Sequence, residues 1–238
     1  MLAFLLTWSR TDTCRRSRGI TDVHSLVSPH PLDVKLKVLP PVLIFLTVFA
    51  VYAVTAAPGT LFGDPSEYQF IPAILGIAHP PGYAFYTLVA RTWQLLVPLG
   101  TIAFRTNLLA SAMGAWTVTA VYLITREIGL RGDWAAGEPP TVTVASVFAA
   151  LALAAAPDLW QHAVHANAHI VSAALAVTHL WLLTRWWRTG RDGWLAAFAG
   201  TLGLAATHHP ITLMGVPARM LRVNSHMAIS GAAIRSIS

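Results

Sequence analysis

Two carboxylates, Asp64 and Glu67, stand three residues apart in the run Gly63-Asp64-Pro65-Ser66-Glu67-Tyr68, directly after a long apolar stretch. A carboxylate held at a membrane surface can act as a general base and take the proton of an acceptor hydroxyl. That is the chemistry open to Asp64. The same spacing also serves a structural purpose. If a helix starts near Pro65, a residue type favoured at the first helical position, Asp64 is its N-cap and Glu67 falls near N3 in a capping-box-like arrangement. Spacing alone leaves both readings open.

Downstream, Gly76-Ile77-Ala78-His79-Pro80-Pro81-Gly82-Tyr83 combines two stiffening prolines with a glycine that permits a turn. It reads either as a plain helix breaker or as a cradle for a phosphate or sugar, with His79 donating to the ligand. Arg91 and Arg105 are the only cations between residues 58 and 105. They either neutralise a lipid-linked phosphate or balance Asp64 and Glu67.

His162, His165 and His169 are spaced i, i+3 and i+7, which places them on one face of a continuous helix, with Asn167 elsewhere on the turn. The His165/His169 pair has the i, i+4 spacing found in helical zinc sites. No carboxylate motif accompanies it, so no metal ligand is assigned, and a divalent cation stays open as a cofactor. These histidines suit the polar lining of a membrane cavity equally well. The same holds for His208-His209-Pro210, because polar groups deep in a span are costly unless they face a cavity or bond across helices.

The elements that must position these residues follow from composition. Of 238 residues, 55% are hydrophobic, the mean hydropathy is +0.58, and 16 Lys+Arg with 10 Asp+Glu make 11% charged. An ordinary soluble domain carries roughly 25%. Charge this sparse excludes a disordered chain, a coiled coil and a soluble enzyme, and leaves an all-α polytopic membrane protein. The net charge of +6 lies in short clusters between apolar runs, without the aromatic interleaving of nucleic-acid binders, so no nucleic-acid partner is expected. The single cysteine, Cys14, excludes a disulfide framework and a thiolate metal site.

Five stretches free of Asp, Glu, Lys and Arg are long enough to span: 38–57, 106–125, 139–157, 159–184 and 193–218. A sixth, 68–90, is interrupted by Pro72, Gly76, Pro80, Pro81 and Gly82, and reads as two short interfacial helices joined at 79–82. With the N-terminus inside and five spans, Arg126, Arg131, Arg185, Arg188 and Arg191 fall on the inside, and Arg91 and Arg105 outside. A sixth span would invert that distribution, so the positive-inside rule selects five. Residues 58–105 then form one long extracytoplasmic loop. The tryptophans cluster near the span ends, as an aromatic belt does.

The expected organisation is a basic cytoplasmic arm over 1–34, bearing Arg10, Arg15, Arg16 and Arg18, a transmembrane domain over 35–218, and an irregular tail over 219–238. The apolar start, residues 1–8, is too short to span, and its charges follow rather than precede it, the wrong order for a signal peptide. An overlong gene start is one reading of the first thirty-odd residues. The change of character after residue 218 is what a truncation, a frame change or a disordered tail produces.

The run GDPSEYQFIPAILGIAHPPGYAFYTLVARTWQLLVPLGTIAFRTN, Gly63 to Asn107, resembles the opening of a bacterial membrane family grouped with protein O-mannosyltransferase-like proteins of the GT-C superfamily. That family carries an acidic Gly-Asp-Ser-Gly-Glu type motif after the first span, a Gly-His-Pro-Pro-Gly turn and an Arg-x-Asn at the next helix. The counterparts here are Gly63-Asp64-Pro65-Ser66-Glu67, Ala78-His79-Pro80-Pro81-Gly82 and Arg105-Thr106-Asn107. Pro65 and Ser66 replace the usual small pair, and His162, His165 and His169 stand where a Glu-rich stretch is usual. A weaker likeness continues over 159–173 and 202–217, and family members run on through several more spans.

The resemblance implies an inverting glycosyltransferase that takes a sugar from a polyprenyl-phosphate donor on the extracytoplasmic face. Asp64 would deprotonate or orient the acceptor hydroxyl, and Glu67 would position the loop or the acceptor. His79, Arg91, Arg105, Asn107, His165, His169 and His208 are the residues expected on the substrates. The partners implied are the donor, membrane lipid and a protein, lipid or glycan acceptor, in an inner (plasma) membrane with the N-terminus cytoplasmic. The alternatives are a transporter or channel piece, motivated by the histidines within spans, and an inactive fragment of the transferase, motivated by the tail.

Overall fold

In the computed structural model the described residues are 31–130 and 139–213. Most of the arm, Arg131 and the tail lie outside them. The chain divides into two compact units, Met1–Leu39 and Pro40–Ser238. Of the first, only the opening of helix α1, Pro31–Thr55, is described. The remaining elements belong to the second: α2 Asp64–Ile74, α3 Ala84–Leu96, α4 Ile102–Gly129, α5 Pro140–Ala154, α6 Pro157–Ala163, α7 Ala168–Thr189, α8 Asp192–Ala206 and a 3-10 turn at Pro210–Leu213. Every regular element among the described residues is helical.

Helix direction follows from which ends touch. Asn107 near the start of α4 meets Ala166, just before α7, and Glu127 near the end of α4 meets Arg185 and Arg188 near the end of α7. The two helices therefore run parallel. Helix α5 runs back between their ends: a Cβ on Gly129 would lie 2.6 Å from Val142 at its start, and the Tyr52 hydroxyl donates to Ala154 O at its end, 2.8 Å away. The α1 segment from Pro40 and helix α8 run the same way as α5. Ala57 N donates to Val164 O beyond the end of α1 (2.9 Å), and His208, just past α8, reaches Ala168 O (3.0 Å). Five helical passes thus alternate, and α2 and α3 sit together at one end, against the start of α4.

Among the described residues, two helices are long and apolar enough to cross a membrane, one over Val38–Thr55 and one over Ile102–Gly129. The pair Pro140–Ala154 and Pro157–Ala163, bent by 66°, makes a third if counted as one span. The five expected spans therefore exceed what length and composition alone support. Pro157 opens α6 at the bend, and α8 has only 15 residues before Thr207 ends it.

The stretch 159–184, expected as one helix, is broken at 164–167. Asn167 is the cause. Its side-chain oxygen accepts from Ile170 N (2.9 Å), capping α7, while its amide donates to His162 O (2.7 Å) and His165 O (2.8 Å). The freed backbone is satisfied within the protein: Val164 O accepts from Ala57 N, and Ala166 N donates to Asn107 Oδ1 (2.9 Å).

The segment 68–90 does form two short helices with the 79–82 turn between them. Leu75 and Tyr83 take left-handed backbone conformations at the two sides of the link. Helix α4 also packs closely against its neighbours through Gly114. A Cβ there would lie 2.6 Å from that of Ala163 and 3.2 Å from the Tyr52 ring. The core around this contact joins Tyr52, Tyr68, Tyr86, Leu109, Val118 and Ile170.

Candidate functional site

Helix α2 starts one residue earlier than a capping box requires. Gly63 is the N-cap, at φ 76°, and gives no side-chain cap bond; Asp64 is the first helical residue and Pro65 the second. Glu67 is therefore one position too far along to bond back to Asp64. It reaches forward instead. Glu67 Oε1 accepts from the backbone N–H of His79 (2.7 Å), and Oε2 lies 2.8 Å from His79 Nδ1. The carboxylate thus clamps the turn between α2 and α3 from both its backbone and its side chain.

Each partner shifts the other. The hydrogen bond from the His79 ring, then that from its backbone, lowers the Glu67 carboxyl below its ordinary value. The same ring bond to Glu67 raises His79 above its ordinary value, and the charge of Asp64 adds to it. A charged pair results near the middle of the acidic-to-neutral range, half-exposed on both sides. His79 Nε2 also lies 3.4 Å from the Tyr68 hydroxyl, whose ionisation is pushed up chiefly by burial.

Asp64 is different. Its side chain is exposed, and no hydrogen bond or ion pair engages it among the described residues. It stands in the first turn of α2. Two acids three residues apart are thus divided between a closed clamp and an open carboxylate close enough to act on His79 electrostatically.

The turn packs inward on aromatic rings. Tyr68 meets Tyr83 and Tyr86 edge-on, at 5.5 and 5.4 Å between centroids. The Tyr86 hydroxyl donates to Tyr68 O (2.9 Å). Tyr83 lies 5.6 Å from His208 and 5.4 Å from His209, which joins the turn to the end of α8. His208 is buried, and its Nε2 is the atom engaged with Ala168 O.

Arg105 and Asn107 are placed in the scaffold beneath this end. Arg105 donates to Gln94 O (3.1 Å) and to Gly100 O (3.2 and 3.3 Å), closing the link between α3 and α4. Asn107, fully buried, accepts from Gln69 Nε2 and Ala166 N, both at 2.9 Å, and donates to Ala57 O at 2.7 Å. One side chain therefore ties the end of α1, α2, α4 and the break before α7. Arg91 is partly exposed on α3 and has no hydrogen bond or ion pair among the described residues.

His162, His165 and His169 do gather, though not on one helical face. His162 lies in α6, His165 in the break and His169 in the first turn of α7, with ring centroids 6.3 Å (His162–His165) and 6.2 Å (His162–His169) apart. The i, i+4 helical geometry of His165 and His169 is not formed. Among the described residues no group of three or more His, Cys, Asp or Glu is placed to hold a metal ion.

Sequence reasoning did not single out Gln69 and Gln94, both 2% exposed. Gln94 Nε2 donates to Thr106 Oγ1 (2.8 Å) and to Gln69 O (3.2 Å). Two glutamines on otherwise apolar interfacial helices were the available signal, since buried amides need partners.

Residues 64–229 match the family described as the protein O-mannosyl-transferase TMEM260 N-terminal domain. The chain belongs to this family. The matched range opens on Asp64 itself and takes in the clamp, the 79–82 turn and every histidine of the cluster. Two curated relatives carry the same description, protein O-mannosyl-transferase TMEM260. The mouse protein is 38% identical over 96 residues, 40% of this chain and 13% of its own length. The Dictyostelium discoideum protein is 22% identical over 193 residues, 74% of this chain and 22% of its own. The chain thus spans less than a quarter of the TMEM260 relatives it matches. No solved structure matches it.

Proposed function

We propose that the chain forms the first part of a membrane glycosyltransferase of the GT-C kind, moving a sugar from a polyprenyl-phosphate donor to an acceptor hydroxyl, as an O-mannosyltransferase does. The observation that carries the reading is the division of labour between the two acids of α2. Glu67 is engaged with His79, whereas Asp64 is exposed, unpaired and in the first turn of a helix. The naming of the relatives as protein O-mannosyl-transferases supports the choice of sugar and reaction.

In this reading Asp64 takes the proton of the acceptor hydroxyl as its oxygen attacks the anomeric carbon of the donor. The bond from that carbon to the phosphate oxygen breaks with inversion, and polyprenyl phosphate leaves with the bonding pair. His79, raised above its ordinary value by Glu67, and Arg91, free of other partners among the described residues, offer positive charge to the departing phosphate. Glu67 is a positioning residue that fixes His79. Arg105, Asn107, Gln69 and Gln94 hold the platform.

Sidedness follows from charge. Arg185, Arg188 and Glu127 lie at the end of α4 and α7 opposite Asp64, and the arginine excess there supports a cytoplasmic position for that end. In this reading Asp64 faces the extracytoplasmic side. Membranes expressing the gene should transfer labelled mannose from its polyprenyl-phosphate conjugate, and Asp64→Asn should lower the rate by about 10²–10⁴, the range for loss of a general base. Undiminished transfer by Asp64→Asn removes the assignment.

A further inference from the structure

An open hollow of about 130 Å³ lies where α6 meets α7, lined by Asp158, Leu159, His162, His169, Ile170 and Ala173. It is on the same end of the bundle as Asp64, because the break beside it bonds to Ala57 and Asn107. A row of rings also leads towards it: His79 to Tyr83 at 5.8 Å, and Tyr83 to His208, which bonds the first residue of α7, directly before His169. Drug-sized pockets run from roughly 300 Å³ upward, so the hollow is on the scale of one sugar ring and too small for a nucleotide.

Its lining has the chemistry of polyol recognition. The Asp158 side chain is 96% exposed and, when ionised, only accepts hydrogen bonds, which suits adjacent hydroxyls. His162 Nδ1 lies 2.8 Å from the backbone oxygen of Asp158. That oxygen can only accept, so Nδ1 carries a proton and Nε2 is left for a ligand. His169 is exposed across the hollow, 6.2 Å from His162 between centroids. Leu159, Ile170 and Ala173 offer an apolar floor for the C–H face of a ring. No Lys or Arg lines the hollow, and its one carboxylate repels anions.

We infer that this hollow is a subsite for a neutral pyranose ring, bound through its hydroxyls by Asp158, His162 and His169. The inference rests on the glycosyltransferase reading and deepens it by separating where the sugar sits from where the phosphate leaves. The ring could belong to the donor or to a glycan acceptor.

The probe is methyl α-D-mannopyranoside, added to the purified full chain in detergent while diethyl pyrocarbonate modification of each histidine is followed by mass spectrometry. At ten times its dissociation constant the sugar should slow modification of His162 and His169 about tenfold, with His79 as the internal reference. Asp158→Ala, a change at an exposed side chain, should abolish the protection, and so should Ala173→Phe, which fills the floor. Equal protection in Asp158→Ala, no protection in the wild type, or protection by inorganic phosphate instead would overturn the subsite.

In the transfer assay Asp158→Ala should raise KM for the donor if the donor sugar occupies the hollow, or KM for the acceptor if a glycan does. A change in neither contradicts the proposal. Protection should survive Asp64→Asn. If that variant still transfers sugar, the catalytic assignment fails while the subsite stands; if only the protection is missing, the subsite fails while the transferase stands.

Discussion

The two ends of the bundle each hold a carboxylate gripped by cations, and they do so in opposite ways. At one end Glu67 and His79 keep side-chain exposures of 30% and 42%, and the residues bridge a turn between two short helices. At the other Glu127, with 5% side-chain exposure, is held by Arg185 and Arg188, and Arg185 lies over the Trp194 ring, 4.9 Å from its centroid. The first pair contains a histidine raised above its ordinary value by its carboxylate partner, and it is exposed to solvent. The second is a triad between two long parallel helices. The group that fixes the scaffold is buried, whereas the pair beside the open carboxylate stays exposed.

The largest test of that contrast removes both arginines. Arg185→Leu with Arg188→Leu leaves Glu127 buried without a counter-charge, which costs about 3–5 kcal/mol. Thermal unfolding in detergent measures it, and an unchanged midpoint would erase the structural half of the comparison. Next comes Asn107→Leu. It leaves the buried Ala166 N without its partner, a loss of about 1–3 kcal/mol, while Gln69 Nε2 keeps Gly59 O at 3.3 Å and Ala57 O is only partly buried. The same unfolding experiment should show a loss smaller than that of the arginine pair and a faster proteolysis of the 58–63 link.

The smallest effect is the pH dependence of the Glu67–His79 clamp. Glu67 is lowered from 4.5 on folding, so its contribution is present above pH 4.5 and is lost as pH falls through the folded value. His79 is raised from 6.5, so its contribution is full below pH 6.5 and is lost as pH rises through the folded value. The clamp is therefore complete between those two limits. Proteolysis within 75–83 should be slowest there and rise on both sides, and Glu67→Gln should remove the rise above pH 6.5. A flat profile in the wild type would remove the pH-dependent role of the pair.

Much of the helical framework was legible because uninterrupted apolar runs and Pro/Gly punctuation are local signals. The α1 and α4 cores and the two-helix reading of 68–90 follow from them. The break at 164–167 contains neither Pro nor Gly, and its cause, the Asn167 cap, competes with a helix-length apolar pattern on both sides. The capping-box expectation for Asp64 and Glu67 failed because Gly63, at positive φ, took the N-cap and moved the register by one. Contacts set by tertiary closure were not legible at all. Glu67 and His79 are 12 residues apart, and Glu127 and Arg185 are 58 apart. The sequence shows which groups need partners without showing which ones meet.

The central claim is that two neighbouring carboxylates have separate tasks, Asp64 in the reaction and Glu67 in holding His79. Initial rates of mannosyl transfer by Asp64→Asn and Glu67→Gln, measured side by side in membranes between pH 5 and 8, test it most directly. The account predicts a loss of about 10²–10⁴ at every pH for Asp64→Asn. For Glu67→Gln it predicts a smaller loss that grows as pH rises and His79 gives up its proton. A Glu67→Gln variant that is inactive throughout, beside an Asp64→Asn variant that transfers normally, would contradict it.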